Sequence, residues 1–150
     1  MYNIRAYVPE VDKNFILSSF LKSYKNAPET KYISDAVYYS TFKQQFIDLL
    51  DYEAILGNVL IIANAEDQTQ IYGYIIFNQT EQNDPNNILP LITIHYIYIK
   101  YPFRKFRIAT EVLQNLGVDK DTPTFYTYAR NFNNIPEAWT YDPYRRGIYR

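Results

Sequence analysis

Residues 91–116, LITIHYIYIKYPFRKFRIATEVLQNL, constrain the fold more than any other part of the chain. The first ten are dense in Ile, Tyr and Thr, the β-branched and aromatic residues that suit a pleated strand. A basic turn over 101–107 follows, broken by Pro102. Ile108, Val112, Leu113 and Leu116 then recur at helical spacing, and Gly117 is placed to stop the helix. A strand that passes through a basic turn into a helix N-terminus is suited to holding phosphate. The first helical turn has N–H groups without intrahelical partners, and Arg104, Lys105 and Arg107 bring full charges to the same place.

The remaining segments supply the partners such a unit needs. Residues 2–8 alternate as a first strand, ended by Pro9. Over 10–25, Val11, Phe15, Ile16, Phe20 and Tyr24 predict an amphipathic helix, with Glu10 and Asp12 suited to its first turn. A loop over 26–34 leads to a second helix capped by Ser34 or Asp35. Its apolar face carries Tyr38, Phe42, Phe46, Leu49 and Leu50, and Gly57-Asn58 ends it. The run 59–63 (VLIIA) and the segment 71–77 (IYGYIIF) predict two strands of a hairpin. Residues 79–87 form a hydrophilic loop, 124–129 a further strand, and Pro136 is expected to start a short helix through Trp139. Arg145, Arg146 and Arg150 are expected to be a solvated basic end, with contact to an acidic partner as the alternative. The order is strand, helix, helix, three strands, helix, strand and a short tail. It predicts one α+β domain over 1–150 with a mixed, mostly antiparallel sheet flanked by helices.

Composition removes several classes of function. The 150 residues carry a net charge of −1, which disfavours general nucleic-acid binding. With no cysteine and a single histidine, disulfides, thiolate zinc sites and a cysteine nucleophile are excluded, and no metal site is expected. No run reaches membrane-spanning length and no leader is visible, so a cytoplasmic protein without membrane contact is expected. The 17 tyrosines are spread along the chain, which favours core packing over a concentrated binding surface.

The order β-α-α-β-β-β-α-β, with an apolar fourth strand entering a basic turn and a helix, resembles the GNAT family of acyl-CoA-dependent N-acyltransferases. That family's cofactor signature is Gln or Arg, two residues, Gly, one residue, then Gly or Ala. Arg104-Lys105-Phe106-Arg107-Ile108-Ala109 matches its leading Arg and final Ala. The family's first Gly is Arg107 here; Arg presents the same N–H if its backbone is helical, and its side chain folds outward, folds onto a phosphate oxygen or blocks the site. The resemblance implies acetyl-CoA as acyl donor, an unidentified amine as acceptor and direct transfer between them. It implies a fourth strand splayed from the fifth, with the pantetheine arm along Ile97 and Ile99. Small divergent members of this family are common among bacteriophage genes, and the Asn-, Ile-, Lys- and Tyr-rich composition suits such an origin.

Catalytic candidates follow from the same resemblance. Strand alternation places His95 on one face with Thr93, Ile97 and Ile99. His95 stands nine residues before Arg104, where some members carry a histidine that helps deprotonate the amine. The commoner glutamate position is Thr93 here. Asn134, Ala138 and Tyr141, followed by Gly147-Ile148, loosely resemble the pattern around the tyrosine that protonates the departing thiolate, so Tyr141 is the candidate acid. Members add two more strands that wall the acceptor cleft. In this chain that wall is absent, supplied by a dimer partner, or built from Trp139, Tyr141, Tyr144 and Tyr149. The loop 26–34, Tyr32 and Tyr38 are the candidate acceptor lining. The alternative to an enzyme is a GNAT-like fold kept for binding a protein partner without turnover, and a third reading is an unrelated α+β binding domain.

Overall fold

A computed structural model describes residues 1–79, 92–129 and 135–146. Most of the loop expected over 79–87 lies outside these, as do Asn134, Gly147, Ile148, Tyr149 and Arg150. The elements run β1 (Tyr2–Ala6), α1 (Pro9–Tyr24), α2 (Asp35–Ile55), β2 (Val59–Asn64), β3 (Ile71–Gln79), β4 (Ile92–Ile99), α3 (Ile108–Asn115), β5 (Thr124–Tyr126) and β6 (Trp139–Tyr141). A 3-10 helix over Tyr101–Phe106 joins β4 to α3. The strands form a single sheet in chain order, antiparallel from β1 to β4 and parallel from β4 to β6.

Helices cover both faces. On one side Ile16, Phe20, Tyr24, Phe42, Phe46 and Leu50 of α1 and α2 pack against Ile61, Tyr74, Tyr96 and Tyr128. Phe20 and Phe46 stack at 3.7 Å between centroids, and Tyr96 and Tyr128 meet Phe20 edge-on, so many of the aromatics fill the interior. On the other side Ile108 and Val112 of α3 cover Ile62, Ile75, Ile94 and Ile99. Ser34 caps α2 through Val37 N–H, and Gly57 and Gly117 end α2 and α3 at φ +75° and +81°. At Gly73 an added Cβ would sit 2.2 Å from the Tyr98 carbonyl oxygen, so only glycine lets β3 and β4 approach there.

Several expectations are corrected. Val11 is exposed while Asp12 is fully buried: its carboxylate accepts both Nη atoms of Arg5 (2.8 and 2.7 Å) and the Val8 N–H, tying α1 to β1. Residues 136–138 lead through a turn into β6, which starts at Trp139, rather than forming a helix. Arg145 and Arg146 are each 8% exposed rather than solvated.

The alternation expected along β4 also fails. Ile76 pairs with Tyr96 but Phe77 pairs with Ile94, which leaves His95 as an extra residue in a β-bulge. The bulge flips the pleat. His95 and Tyr96 both face α1 and α2, whereas Ile97 and Ile99 face α3. Among the described residues β4 and β5 pair only at Thr93–Phe125 and Ile94–Tyr126, so the strands part just beyond the bulge. No helix among the described residues is long and apolar enough to cross a membrane.

Candidate functional site

Where β4 and β5 part, a cavity of about 1170 Å³ passes between them. Its α3-side wall includes Arg104, Arg107, Ala109, Thr110, Leu113 and Gln114. Ile94 to Ile97, Tyr126 and Tyr128 line the waist, and Lys22, Ser23, Asn26 and Ala27 line the end under α1. The cavity volume lies just above the roughly 300–1,000 Å³ typical of small-molecule sites. A smaller cavity of about 350 Å³ adjoins it, walled by Ile97, Ile99, Phe103, Arg104, Arg107 and Ile108.

The α3 end carries two exposed arginines, Arg104 and Arg107. Arg107 is the N-cap of α3 and the only described non-glycine residue with positive φ (58°, ψ 26°). Its backbone is therefore left-handed rather than right-handed helical, the conformation glycine adopts most easily, at a cost of about 1–2 kcal/mol for an L-residue. No described side chain caps the first N–H groups of α3. Arg104 is fixed nearby: Nε donates to the Ile99 carbonyl at 2.7 Å, and the guanidinium lies over the Tyr98 and Tyr101 rings. Ile97, Ile99, Ile108 and Ala109 share these walls, whereas Lys105 and Phe106 are exposed and line neither cavity.

The waist rests on a buried polar chain. His95 Nε2 lies 2.8 Å from Glu53 Oε2, and Nδ1 lies 2.9 Å from Thr127 Oγ1. Glu53 Oε1 also accepts from the side-chain amides of Asn58 (3.1 Å) and Asn78 (3.0 Å). Burial pushes the His95 imidazole below its usual range, opposed by the hydrogen bond and charge of Glu53. A neutral ring fits these partners, donating from Nε2 to Glu53 and accepting the Thr127 hydroxyl at Nδ1. The His95 side chain has no solvent exposure, so His95 meets the cavity through its backbone.

Thr127 joins this chain to a second cluster. Its carbonyl accepts from Arg146 Nε at 2.8 Å, while its N–H donates to the Ile94 carbonyl. Arg146 then grips Glu29 with two bonds of 2.8 and 2.7 Å and stacks 3.8 Å from the Tyr128 ring centroid. Tyr24 and Tyr141 hydroxyls both donate to Glu29 Oε2 at 3.1 Å. Burial alone would raise the Glu29 carboxyl; the Arg146 bonds and charge hold it below the usual range. The candidate acid Tyr141 is thus tied to Glu29 and lies outside the cavity lining, while Tyr126 on the neighbouring strand is in it. Burial pushes both phenols up, which keeps them protonated at neutral pH.

The acceptor lining expected from the sequence is corrected in part. Tyr32 is 89% exposed, and Tyr38 is a fully buried core residue whose hydroxyl donates to the Leu21 carbonyl. Asn26 and Ala27 of the same loop do line the cavity, as does Trp139 of the aromatic tail. Glu53 and Arg146 were missed, because a carboxylate on a helix and an arginine in a tail read as solvated. The one signal was the placement of Glu53 three residues after Leu50, in line with the apolar stripe.

No family model matches the chain, and no curated sequence matches it at a significant score. Solved structures do. A Pyrococcus furiosus protein described as an acetyl transferase is 17% identical, covering 78% of this chain and 72% of its own at a TM-score of 0.53. The PaiA N-acetyltransferase of Thermoplasma acidophilum, solved in complex with coenzyme A, is 14% identical, covering 78% and 70% at a TM-score of 0.50. The fold of this chain is that of the GNAT acetyltransferases.

Proposed function

We propose that this protein is an acyl-CoA-dependent N-acyltransferase that moves an acetyl group from acetyl-CoA to an amine by direct attack. The observation that carries the reading is the continuous cavity through the parted strands, with Arg104, Arg107 and the α3 N-terminus at one end. Acetyl-CoA would supply a thioester whose carbonyl carbon is the electrophile. The two guanidiniums and the N–H groups of α3 would hold its phosphates, and the edge of β4 at Ile97 and Ile99 would align its pantetheine arm.

The amine loses its proton before or during attack. The His95 ring is sealed between Glu53 and Thr127, so we assign it to holding the bulge, and the proton leaves through water in the open cavity. Of the two tyrosines, Tyr126 lines the waist, and we assign it, rather than Tyr141, to protonate the departing thiolate. The sealed His95 favours a second reading, a GNAT fold that binds coenzyme A or a protein partner without turnover.

Acetyl transfer to a panel of amines, followed by thiol release and mass spectrometry of the product, tests the enzyme reading. Transfer is expected, with Tyr126→Phe lowering kcat more than Tyr141→Phe. Coenzyme A binding without transfer to any amine would favour the second reading.

A further inference from the structure

The α1 end of the cavity shows what kind of amine it takes, an inference that rests on the transferase reading. This end is lined by Lys22, Ser23, Asn26 and Ala27, with Tyr96 and Tyr128 at the waist. Lys22 is exposed in the last turn of α1 and has no carboxylate partner among the described residues. Lys13 and Lys25 of the same region differ, since each pairs with an aspartate, Asp51 and Asp35. Among the described residues, two carboxylates near this end are withdrawn. Glu29 is held by Arg146, Tyr24 and Tyr141, and Glu53 is enclosed by His95, Asn58 and Asn78. Asp119 and Asp121, with Lys120 between them, also line the cavity.

We propose that the acceptor is an amine that also carries a carboxylate or phosphate group, bound by Lys22. A polyamine would place added positive charges beside Lys22, where Glu29 and Glu53 are already bonded to other groups, and like charges brought together are penalised. An oxyanion meets the Lys22 ammonium, which has no carboxylate partner among the described residues, and requires no rearrangement of the buried clusters.

The test compares O-phosphoethanolamine and β-alanine with ethanolamine and spermidine as acetyl acceptors, in wild type and Lys22→Gln. In wild type, at least one anionic acceptor should exceed ethanolamine in kcat/KM by about tenfold, the equivalent of ~1.4 kcal/mol. The phosphate and carboxylate arms identify which oxyanion is favoured. In Lys22→Gln the ratio should fall toward one. A ratio near one in wild type, a ratio kept in Lys22→Gln, or spermidine as the best acceptor would overturn the proposal. If no amine is acetylated, the transferase reading fails separately, and saturation-transfer NMR of the same four compounds on protein saturated with coenzyme A decides. Signals for an anionic compound that are lost in Lys22→Gln support the inference; equal signals for ethanolamine, or stronger ones for spermidine, contradict it.

Discussion

The two ends of the cavity are built in opposite ways. The α3 end is local: β4, the 3-10 turn and the first turn of α3 are contiguous in the chain, and its cations stand at the surface around a left-handed Arg107. The other end and the waist are non-local. Glu53 on α2 meets His95 on β4 across 42 positions, and Arg146 meets Glu29 across 117. Groups that touch a diffusing ligand can be exposed and loosely held, because the ligand brings the counter-charge. Groups that hold two strands apart must be buried and fully bonded, since an unpaired buried polar atom costs more than a hydrogen bond returns.

This contrast predicts that substitutions on the buried side cost stability and that substitutions on the α3 side cost ligand affinity. The largest effect belongs to Glu53→Ala. It leaves donors on Asn58, Asn78 and His95 without an acceptor, and should lower unfolding free energy by about 3–5 kcal/mol in urea denaturation. A loss under ~1 kcal/mol would mean that the chain is not holding the waist. Arg146→Ala comes next, at about 2 kcal/mol, because its pair with Glu29 is only partly shielded from solvent.

Acid should expose the same region. The native His95 imidazole is depressed by burial, with Arg146 adding to the depression and Glu53 opposing it, so the unfolded chain binds more protons there. Its stabilising contribution is complete above the unfolded value of ~6.5 and is lost as pH falls through the lower native value. The urea midpoint of wild type should therefore drop below pH ~6.5 more steeply than that of His95→Gln. Matching slopes would show that His95 does not titrate on unfolding. Glu29 acts in a separate, lower window, where its depressed carboxyl takes up a proton.

Smallest is Arg107→Gly. Glycine relieves the left-handed conformation but loosens the unfolded chain, so stability should rise by under ~1 kcal/mol. Affinity for coenzyme A should fall at the same time, since one guanidinium leaves the phosphate end. A variant that loses stability would show that Arg107 is held by contacts rather than strained.

The same contrast explains what the sequence made legible. Elements came through where one periodicity decided them. The face Tyr38, Phe42, Phe46, Leu49 and Leu50 is buried as expected, Gly57 and Gly117 end their helices, and the strand, basic turn and helix follow one another as read. Side-chain direction along β4 did not come through, because one extra residue at His95 inverts the pleat and no local pattern marks a bulge. Nor did the buried charges. Asp12 is inside because Arg5 of β1 meets it, and Glu53 and Arg146 because His95 and Glu29 arrive from distant parts of the chain. The fold was thus more legible than the roles of His95 and Tyr141.

The most direct test is a calorimetric titration of acetyl-CoA into wild type and Arg104→Ala. Saturable one-to-one binding to wild type is expected, and about tenfold weaker binding to Arg104→Ala, with a urea midpoint lowered less than in Arg146→Ala. No heat at millimolar acetyl-CoA, or equal affinity in the two proteins, would contradict the placement of the cofactor at the α3 end.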